Sequence, residues 1–148
     1  MPFEFSEQAS SAVTNSTTDR SRPSVLIVED DPAMRKLLEL ELSRQRFDTV
    51  LVSSAAEARQ AMEAIVFPIA IVDRVLEDAD GIDLIAELRR RYAHHRIFIV
   101  LFSSLDSAEE QRLGMGAGAD AYVSKSAFPA TLVEQLARGV EVVRLNKR

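Results

Sequence analysis

The side chains with the most chemistry to offer stand at the ends of apolar runs. Acids follow two of these runs, at Glu29-Asp30-Asp31 and at Asp73, while Ser103 and Lys125 lie at the ends of two others. Apolar runs rich in Ile and Val are typical of strands buried on both faces of a parallel sheet. Because ligands bind at the carboxyl ends of such strands, these polar residues predict a site at that edge.

Three carboxylates brought together at one sheet edge would repel each other, and a hard divalent cation would relieve that repulsion. Mg²⁺ prefers oxygen ligands and keeps several waters, so few protein ligands leave room for phosphate oxygens. A carboxylate in such a place can act as a nucleophile toward phosphorus. We therefore expect Glu29, Asp30 and Asp73 to form a Mg²⁺ site in which Asp73 accepts a phosphoryl group. Lys125 and Ser103 would contact the new phosphate oxygens.

Apolar strand patterns alternate five times with helical patterns along the chain. The alternation predicts an α/β fold: a flavodoxin-like, doubly wound parallel sheet of five strands in the order 2-1-3-4-5, with five helices. In that order the first and third strands are neighbours, which brings Glu29, Asp30 and Asp73 together. The strands are expected at 25–28, 47–52, 69–73, 97–102 and 121–123, and the helices at 32–44, 54–67, 82–88, 108–116 and 129–143.

Composition indicates one globular domain in 148 residues, with 47% hydrophobic and 28% charged residues. We expect a disordered tail over 1–23, which is rich in Ser and Thr, then the domain over 24–145 and a short C-terminal end at 146–148. The absence of Cys excludes disulfides and Cys-based zinc sites.

Charge and hydropathy patterns also exclude some classes of partner. A net charge of −5 argues against direct contact with nucleic acid. No apolar run is long enough to span a bilayer, and the amino terminus lacks a signal-peptide pattern, which favours a cytoplasmic location without a membrane partner.

Several segments, in this order and spacing, resemble the receiver domain of bacterial response regulators, of the kind that regulates chemotaxis. Each segment is weak alone, whereas their order and spacing together are specific. They are Val25-Leu26-Ile27-Val28-Glu29-Asp30-Asp31-Pro32, Ile71-Val72-Asp73 followed by Asp80-Gly81, Phe102-Ser103-Ser104, and Gly118-Ala119-Asp120-Ala121-Tyr122-Val123-Ser124-Lys125.

The resemblance implies that Asp73 takes a phosphoryl group from the phosphohistidine of a sensor histidine kinase or a histidine phosphotransfer protein. The chain would then be a phosphoacceptor in a phosphorelay and not an enzyme that turns over. Asp30 and Asp73 would bind Mg²⁺ directly, with Glu29 acting largely through water and the Val75 carbonyl as a backbone ligand. Lys125 would pair with the phosphoryl group.

The resemblance also implies a switch. Ser103 stands at the switch hydroxyl position and Tyr122 at the switch aromatic position, so phosphate would draw in the Ser103 hydroxyl and Tyr122 would fill the vacated space. The output surface would consist of Ala108–Gly116, the fifth strand and the last helix. A downstream protein, or a second copy of the chain, would bind there.

The sequence departs from the family pattern at four positions. Ser126 replaces the Pro that often follows the lysine through a cis bond, so Lys125–Ser126 is expected to be trans unless it is strained. Glu77 replaces a frequent loop Pro, which predicts a looser loop. Val75 and Leu105 stand at the two positions that flank the phosphoryl group in this family. Both are apolar, so neither can orient an attacking water. A long-lived phosphorylated state is therefore expected.

Two other functions remain open from the sequence. The same fold could serve as a pseudo-receiver, a protein-interaction or dimerisation module that does not depend on phosphate. A Mg²⁺-dependent phosphohydrolase would need a further acid–base residue near Asp73, which Arg74 and Val75 do not supply. The intact acid set and Lys125 favour the phosphorylated switch.

Overall fold

The computed structural model describes residues 22–145, in which five strands alternate with five helices. Each element expected from the sequence is confirmed to within a few residues. The strands are β1 (Ser24–Val28), β2 (Asp48–Val52), β3 (Ile69–Asp73), β4 (Phe98–Ser103) and β5 (Ala121–Ser124). The helices are α1 (Pro32–Arg44), α2 (Ala55–Ala64), α3 (Gly81–Arg91), α4 (Ala108–Ala117) and α5 (Ala130–Leu145), with one 3₁₀ turn at Lys125–Ala127.

All five strands are parallel and follow the order β2-β1-β3-β4-β5. This order confirms the flavodoxin-like, doubly wound fold expected from the sequence. All residues of β3 and β4 are buried, as continuous apolar runs in the middle of a parallel sheet should be. In contrast, β2 lies at an edge and its residues are exposed or half-buried.

The sheet separates two hydrophobic cores, because successive side chains of a strand point to opposite faces. On one side, Ala70 and Val72 of β3 pack with residues of α2 and α3. On the other side, Ile69 and Ile71 pack with residues of α1 and α5. Both cores draw on the central strands, which fixes the register of those strands tightly.

Strand register decides which residues meet at the carboxyl edge. Val28 pairs with Val72, so the residues that follow, Glu29 and Asp73, come side by side. On the other side of β3, Asp73 pairs with Phe102 of β4. Ser103, the next residue of β4, pairs with Ser124 of β5. The register therefore carries the ends of four strands to one place.

Four helices are preceded by a capping residue. The side chain of this residue accepts a hydrogen bond from a backbone N–H in the first turn of the helix. Asp31, Ser54, Asp80 and Ser107 fill this role for α1 to α4, at 3.2, 3.1, 2.9 and 3.2 Å. Such caps satisfy amides that have no partner within the helix. Pro32, directly after the Asp31 cap, is the first residue of α1, where the missing N–H of proline costs no hydrogen bond.

The tail expected at 1–23 and the C-terminal end at 146–148 lie outside the described residues, except for Arg22 and Pro23. The carbonyl of Pro23 accepts a hydrogen bond of 3.0 Å from the Asp48 N–H, which extends the pairing of β1 and β2. Over residues 22–145, none of the helices has both the length and the apolar character needed to cross a bilayer.

Gly81 opens α3 directly beneath the end of β3. A Cβ at this position would lie 2.0 Å from the carbonyl oxygen of Asp73, so Gly81→Ala must displace backbone. We expect the substitution to lower the free energy of unfolding by roughly 1–3 kcal/mol, the usual range for overpacking. Urea denaturation measures the change.

Gly116→Ala is the matched control, since a Cβ there meets no atom within 4 Å. This change in α4 should raise the free energy of unfolding by up to about 1 kcal/mol through helix propensity. Equal effects of the two substitutions would contradict the packing argument.

Candidate functional site

Glu29, Asp30 and Asp73 form one acidic cluster at the carboxyl edge of the sheet. Each contributes a carboxylate oxygen, and these three oxygens lie within 4.8 Å of one another. Glu29 is 1% exposed and Asp73 is 6% exposed, whereas Asp30 is half-buried. The juxtaposition expected from the strand order is therefore observed, and two of the acids are largely withdrawn from water.

Lys125 faces this cluster from the first residue after β5. Its Nζ lies 2.9 Å from Glu29 Oε1 and 3.2 Å from Asp73 Oδ2. Burial alone would lower the pKa of Lys125, but contacts with the Glu29 and Asp73 carboxylates outweigh that effect and raise it. The ammonium thus stays charged and neutralises part of the acidic cluster.

Burial raises the pKa of Glu29 to about 7, the Lys125 ammonium opposes the rise, and the Asp73 carboxylate adds to it. Although Lys125 Nζ is close, Glu29 Oε1 accepts no hydrogen bond of normal geometry from the described residues. The contact is therefore mainly electrostatic. A buried carboxylate oxygen without a directed donor is ready to accept another positive partner.

The donor set fits a hard divalent cation such as Mg²⁺. It consists of carboxylate oxygens in close proximity, one of them buried without a directed hydrogen bond. The backbone of Val75 also lies at the pocket, because its N–H donates to Asp73 Oδ1 at 3.4 Å. The role of the Val75 carbonyl as a ligand stays a prediction.

Ser103 and Tyr122 lie together beside the pocket. The Ser103 side chain is 1% exposed, and its hydroxyl accepts a hydrogen bond of 3.0 Å from the Leu105 N–H. The Tyr122 hydroxyl is buried and has no hydrogen-bond partner among the described residues. Burial raises the pKa of Tyr122, and the carboxylates of Asp106 and Glu110 add to the rise.

Arg74, the residue after Asp73, makes contacts that sequence reasoning missed. Its guanidinium donates to both carboxylate oxygens of Asp80, at 2.8 and 3.0 Å, and also pairs with Glu110 in the first turn of α4. The carboxylate of Asp80 foremost, and then that of Glu110, raise the pKa of Arg74. Only the acidic first turn of α4 could have hinted at this contact, and its partner was not evident.

The loop between β3 and α3 makes hydrogen bonds to α2 and within itself, while the looser loop expected from Glu77 stays a prediction. Both carboxylate oxygens of Asp78 accept backbone N–H groups at the start of α2, from Ala55 at 2.8 Å and Ala56 at 3.0 Å. Within the loop, the Leu76 N–H donates to the Ala79 carbonyl at 3.1 Å. Asp78 thus ties the loop to the first turn of α2.

The Lys125–Ser126 bond is trans, since the cis peptide bond found in residues 22–145 is Phe128–Pro129. Ser124 caps the 3₁₀ turn in which Lys125 stands: its hydroxyl accepts the Ser126 N–H at 3.2 Å and lies 2.8 Å from the Ser126 hydroxyl. Two serines therefore shape the backbone around Lys125 where the family often uses proline.

Comparison with known protein families agrees with this geometry. The family described as the response regulator receiver domain matches residues 25–137. The chain belongs to this family.

Individual relatives come from bacterial signalling. The transcriptional regulatory protein GltR of Pseudomonas aeruginosa is 37% identical over 117 residues, which are 76% of this chain and 47% of GltR. The DNA-binding response regulator MtrA of Mycolicibacterium smegmatis is 30% identical over 118 residues, 80% of this chain and 50% of MtrA. The chain thus spans about half the length of these curated relatives.

Among solved structures, the BeF3-activated N-terminal receiver domain of Klebsiella pneumoniae RstA superposes with a TM-score of 0.73 at 28% identity. The match covers 79% of this chain and 97% of that domain. The receiver fold and membership of two-component signalling are therefore confirmed. Because MtrA is named as DNA-binding, the expectation that nucleic acid is not a partner has no support from the relatives.

The pKa of Glu29 predicts how the stability of the metal-free receiver depends on pH. From about pH 4.5 to about pH 7 the folded protein holds a proton on Glu29 that the unfolded chain has released. The unfolded state then binds fewer protons, so the free energy of unfolding should fall as the pH rises through this window. The pKa values of Asp78, Asp80 and Glu87 are lowered, so these groups make the free energy of unfolding rise with pH. Their effect falls at pH values below the Glu29 window.

Urea denaturation at several pH values, with a chelator present, measures this slope. Glu29→Gln removes the titrating group, so the decline across the window should flatten in this variant. An unchanged slope in Glu29→Gln would rule out Glu29 as its source.

Proposed function

We propose that this receiver accepts a phosphoryl group on Asp73 from the phosphohistidine of a sensor histidine kinase or a histidine phosphotransfer protein. A carboxylate oxygen of Asp73 attacks phosphorus, a P–O bond forms and the P–N bond to the imidazole breaks. The bonding electrons leave with the imidazole nitrogen, which takes up a proton. The product is an aspartyl phosphate, and the proposal places this reaction in the cytoplasm.

One observation carries the proposal: Lys125 Nζ lies 3.2 Å from Asp73 Oδ2 inside a cluster of three carboxylates. A lysine at this distance can contact an oxygen of a phosphoryl group attached to Asp73. Phosphoryl transfer depends mainly on positioning and on neutralising charge, and both are within reach of this cluster.

Glu29, Asp30 and Asp73 would hold Mg²⁺, with the Val75 carbonyl as a further ligand. When bound, the ion would neutralise the negative charge on phosphate oxygens as they approach the acidic pocket. Glu29 must release its proton to take part, and the positive charge of a cation favours that release. Lys125 then remains free to balance the charge of the phosphoryl group.

Phosphorylation would be read at the surface formed by α4, β5 and α5. The hydroxyl of Ser103 would turn from the Leu105 N–H toward the phosphoryl group, and Tyr122 would fill the space that this hydroxyl vacates. Exposed Leu113 and Met115 of α4 supply apolar contacts for a downstream protein or for a second copy of the chain. Phosphate shifts this equilibrium only through contacts that differ between the two states.

The pseudo-receiver is the alternative from another functional class. It would use the same α4–β5–α5 surface without any acyl phosphate on Asp73. A phosphohydrolase is disfavoured because Arg74, next to the acceptor, is occupied by Asp80 and Glu110.

Acetyl phosphate with Mg²⁺ tests the phosphoacceptor. Intact-mass measurement should show one added phosphoryl group in the wild type and none in Asp73→Asn, because the amide is not a nucleophile. Asp31→Asn, which changes the exposed cap of α1 beside the cluster, is the matched control and should still be phosphorylated. No mass gain in the wild type would favour the pseudo-receiver.

The side chain of Val75 is 61% exposed at the pocket and cannot orient a water molecule for attack on phosphorus. Val75→Asn supplies a polar group there, so loss of the phosphoryl group should become roughly tenfold faster. The decay of the phosphorylated mass after removal of acetyl phosphate gives the rate. Ile65→Asn, at an apolar position that is 53% exposed at the end of α2, should leave it unchanged. An unchanged rate in Val75→Asn would contradict the expectation of a long-lived phosphorylated state.

A further inference from the structure

Arg74 links the acceptor strand to α4. It follows Asp73 directly, and its guanidinium is held by Asp80 at the start of α3 and by Glu110 in the first turn of α4. The Arg74 and Glu110 side chains are 18% and 19% exposed, so the pair is largely shielded from water. An ion pair of this kind is screened less by salt than an exposed one.

Helix α4 packs on the part of the sheet that carries Tyr122, because Gly114 lies against Leu101 and Leu101 is paired with Tyr122. Burial is the main cause of the raised pKa of Tyr122, and the carboxylates of Asp106 and Glu110 add to the rise. The Tyr122 hydroxyl is buried although it has no hydrogen-bond partner among the described residues. No hydrogen bond of normal geometry holds the phenol, so its burial depends on packing, although Ser103 is near enough to oppose part of the rise in the pKa of Tyr122.

The ion pair connects the end of β3 to the helix that packs next to the switch aromatic. Arg74 is the residue that follows β3, Glu110 lies in the first turn of α4, and α4 packs through Gly114 on Leu101, the strand neighbour of Tyr122. The Ser107 cap is internal to α4, so without the ion pair the helix would be held to the sheet by packing such as that of Gly114 on Leu101. That turn could then move away from Tyr122.

We propose that Arg74 is a positioning residue: its ion pair with Glu110 holds the first turn of α4 over Tyr122 and keeps the phenol buried before any phosphoryl group arrives. The proposal extends the phosphoacceptor function proposed above. It also implies that the pocket is partly preorganised for phosphorylation, because the population of the competent state sets the apparent rate.

The chain supplies a matched control within the same turn. Glu109 and Glu110 are adjacent in the first turn of α4, so both interact with the helix dipole in the same way. Glu109 pairs with the exposed Arg112 at 2.6 Å, whereas Glu110 pairs with Arg74. Glu109→Gln and Glu110→Gln therefore remove the same charge from the same turn, but only Glu110→Gln breaks the link to the acceptor strand.

Burial of Tyr122 can be measured in the unphosphorylated protein. The chain has two tyrosines and no tryptophan, so a Tyr92→Phe background leaves Tyr122 as the only emitter. In that background, Glu110→Gln and Arg74→Ala should each increase quenching of the tyrosine emission by acrylamide. Glu109→Gln should not, and urea denaturation confirms that each variant is folded.

The initial rate of phosphorylation by acetyl phosphate tests the second half of the proposal. Glu110→Gln should lower the rate roughly fivefold, the effect of an ion pair of ordinary strength on the competent population. The double variant Arg74→Ala/Glu110→Gln should be no slower than the slower single variant, because the two residues act through one contact. A purely additive result would assign them separate structural roles.

The outcomes separate the two proposals. Unchanged quenching in Glu110→Gln, or equal effects of Glu109→Gln and Glu110→Gln, overturns the positioning role while leaving the phosphoacceptor intact. A change in quenching without a change in the phosphorylation rate overturns the preorganisation. Absence of phosphorylation in the wild type overturns the phosphoacceptor function and the preorganisation, while quenching still decides whether Arg74 holds Tyr122.

Discussion

The burial of acidic side chains beside a single ammonium is the constraint on which this receiver depends. Glu29 and Asp73 are almost fully withdrawn from water at a point where Asp30 adds a third carboxylate. Separating such charges from water is costly, and an ion pair returns only part of that cost. Lys125 leaves the cluster with an excess of negative charge, which under the proposed function a divalent cation would balance. The fold accepts a locally unfavourable arrangement at the one place where it is chemically useful.

The sheet and its acidic edge could be predicted from the sequence because both rest on local signals. Continuous apolar runs mark the buried strands, the helical periodicity between them marks the crossovers, and the right-handed crossover rule leaves few strand orders. Once β1 and β3 are neighbours, Glu29 and Asp73 must meet, since each follows the last residue of its strand. The position of Lys125 follows in the same way from the end of β5.

The ion pairs and caps around the loop between β3 and α3 could not be predicted, because they join residues that are distant in sequence and ordinary in type. Arg74 and Glu110 are separated by 36 positions, and Asp78 reaches back 23 positions to Ala55. Nothing in the composition of either segment selects one carboxylate from its neighbours. The family resemblance singled out Glu77, whereas the residue that joins this loop to α2 is its neighbour Asp78.

The two oxygens of Asp78 bind consecutive amides of α2, so the loop between β3 and α3 meets its two neighbouring helices in different ways. On its α2 side the loop is held by two backbone donors at a helix terminus, where the dipole further favours the anion. On its α4 side the link is an ion pair between two side chains, Arg74 and Glu110. The α2 link therefore tolerates almost any residue at the positions that donate, whereas the α4 link depends on the identity of residue 110.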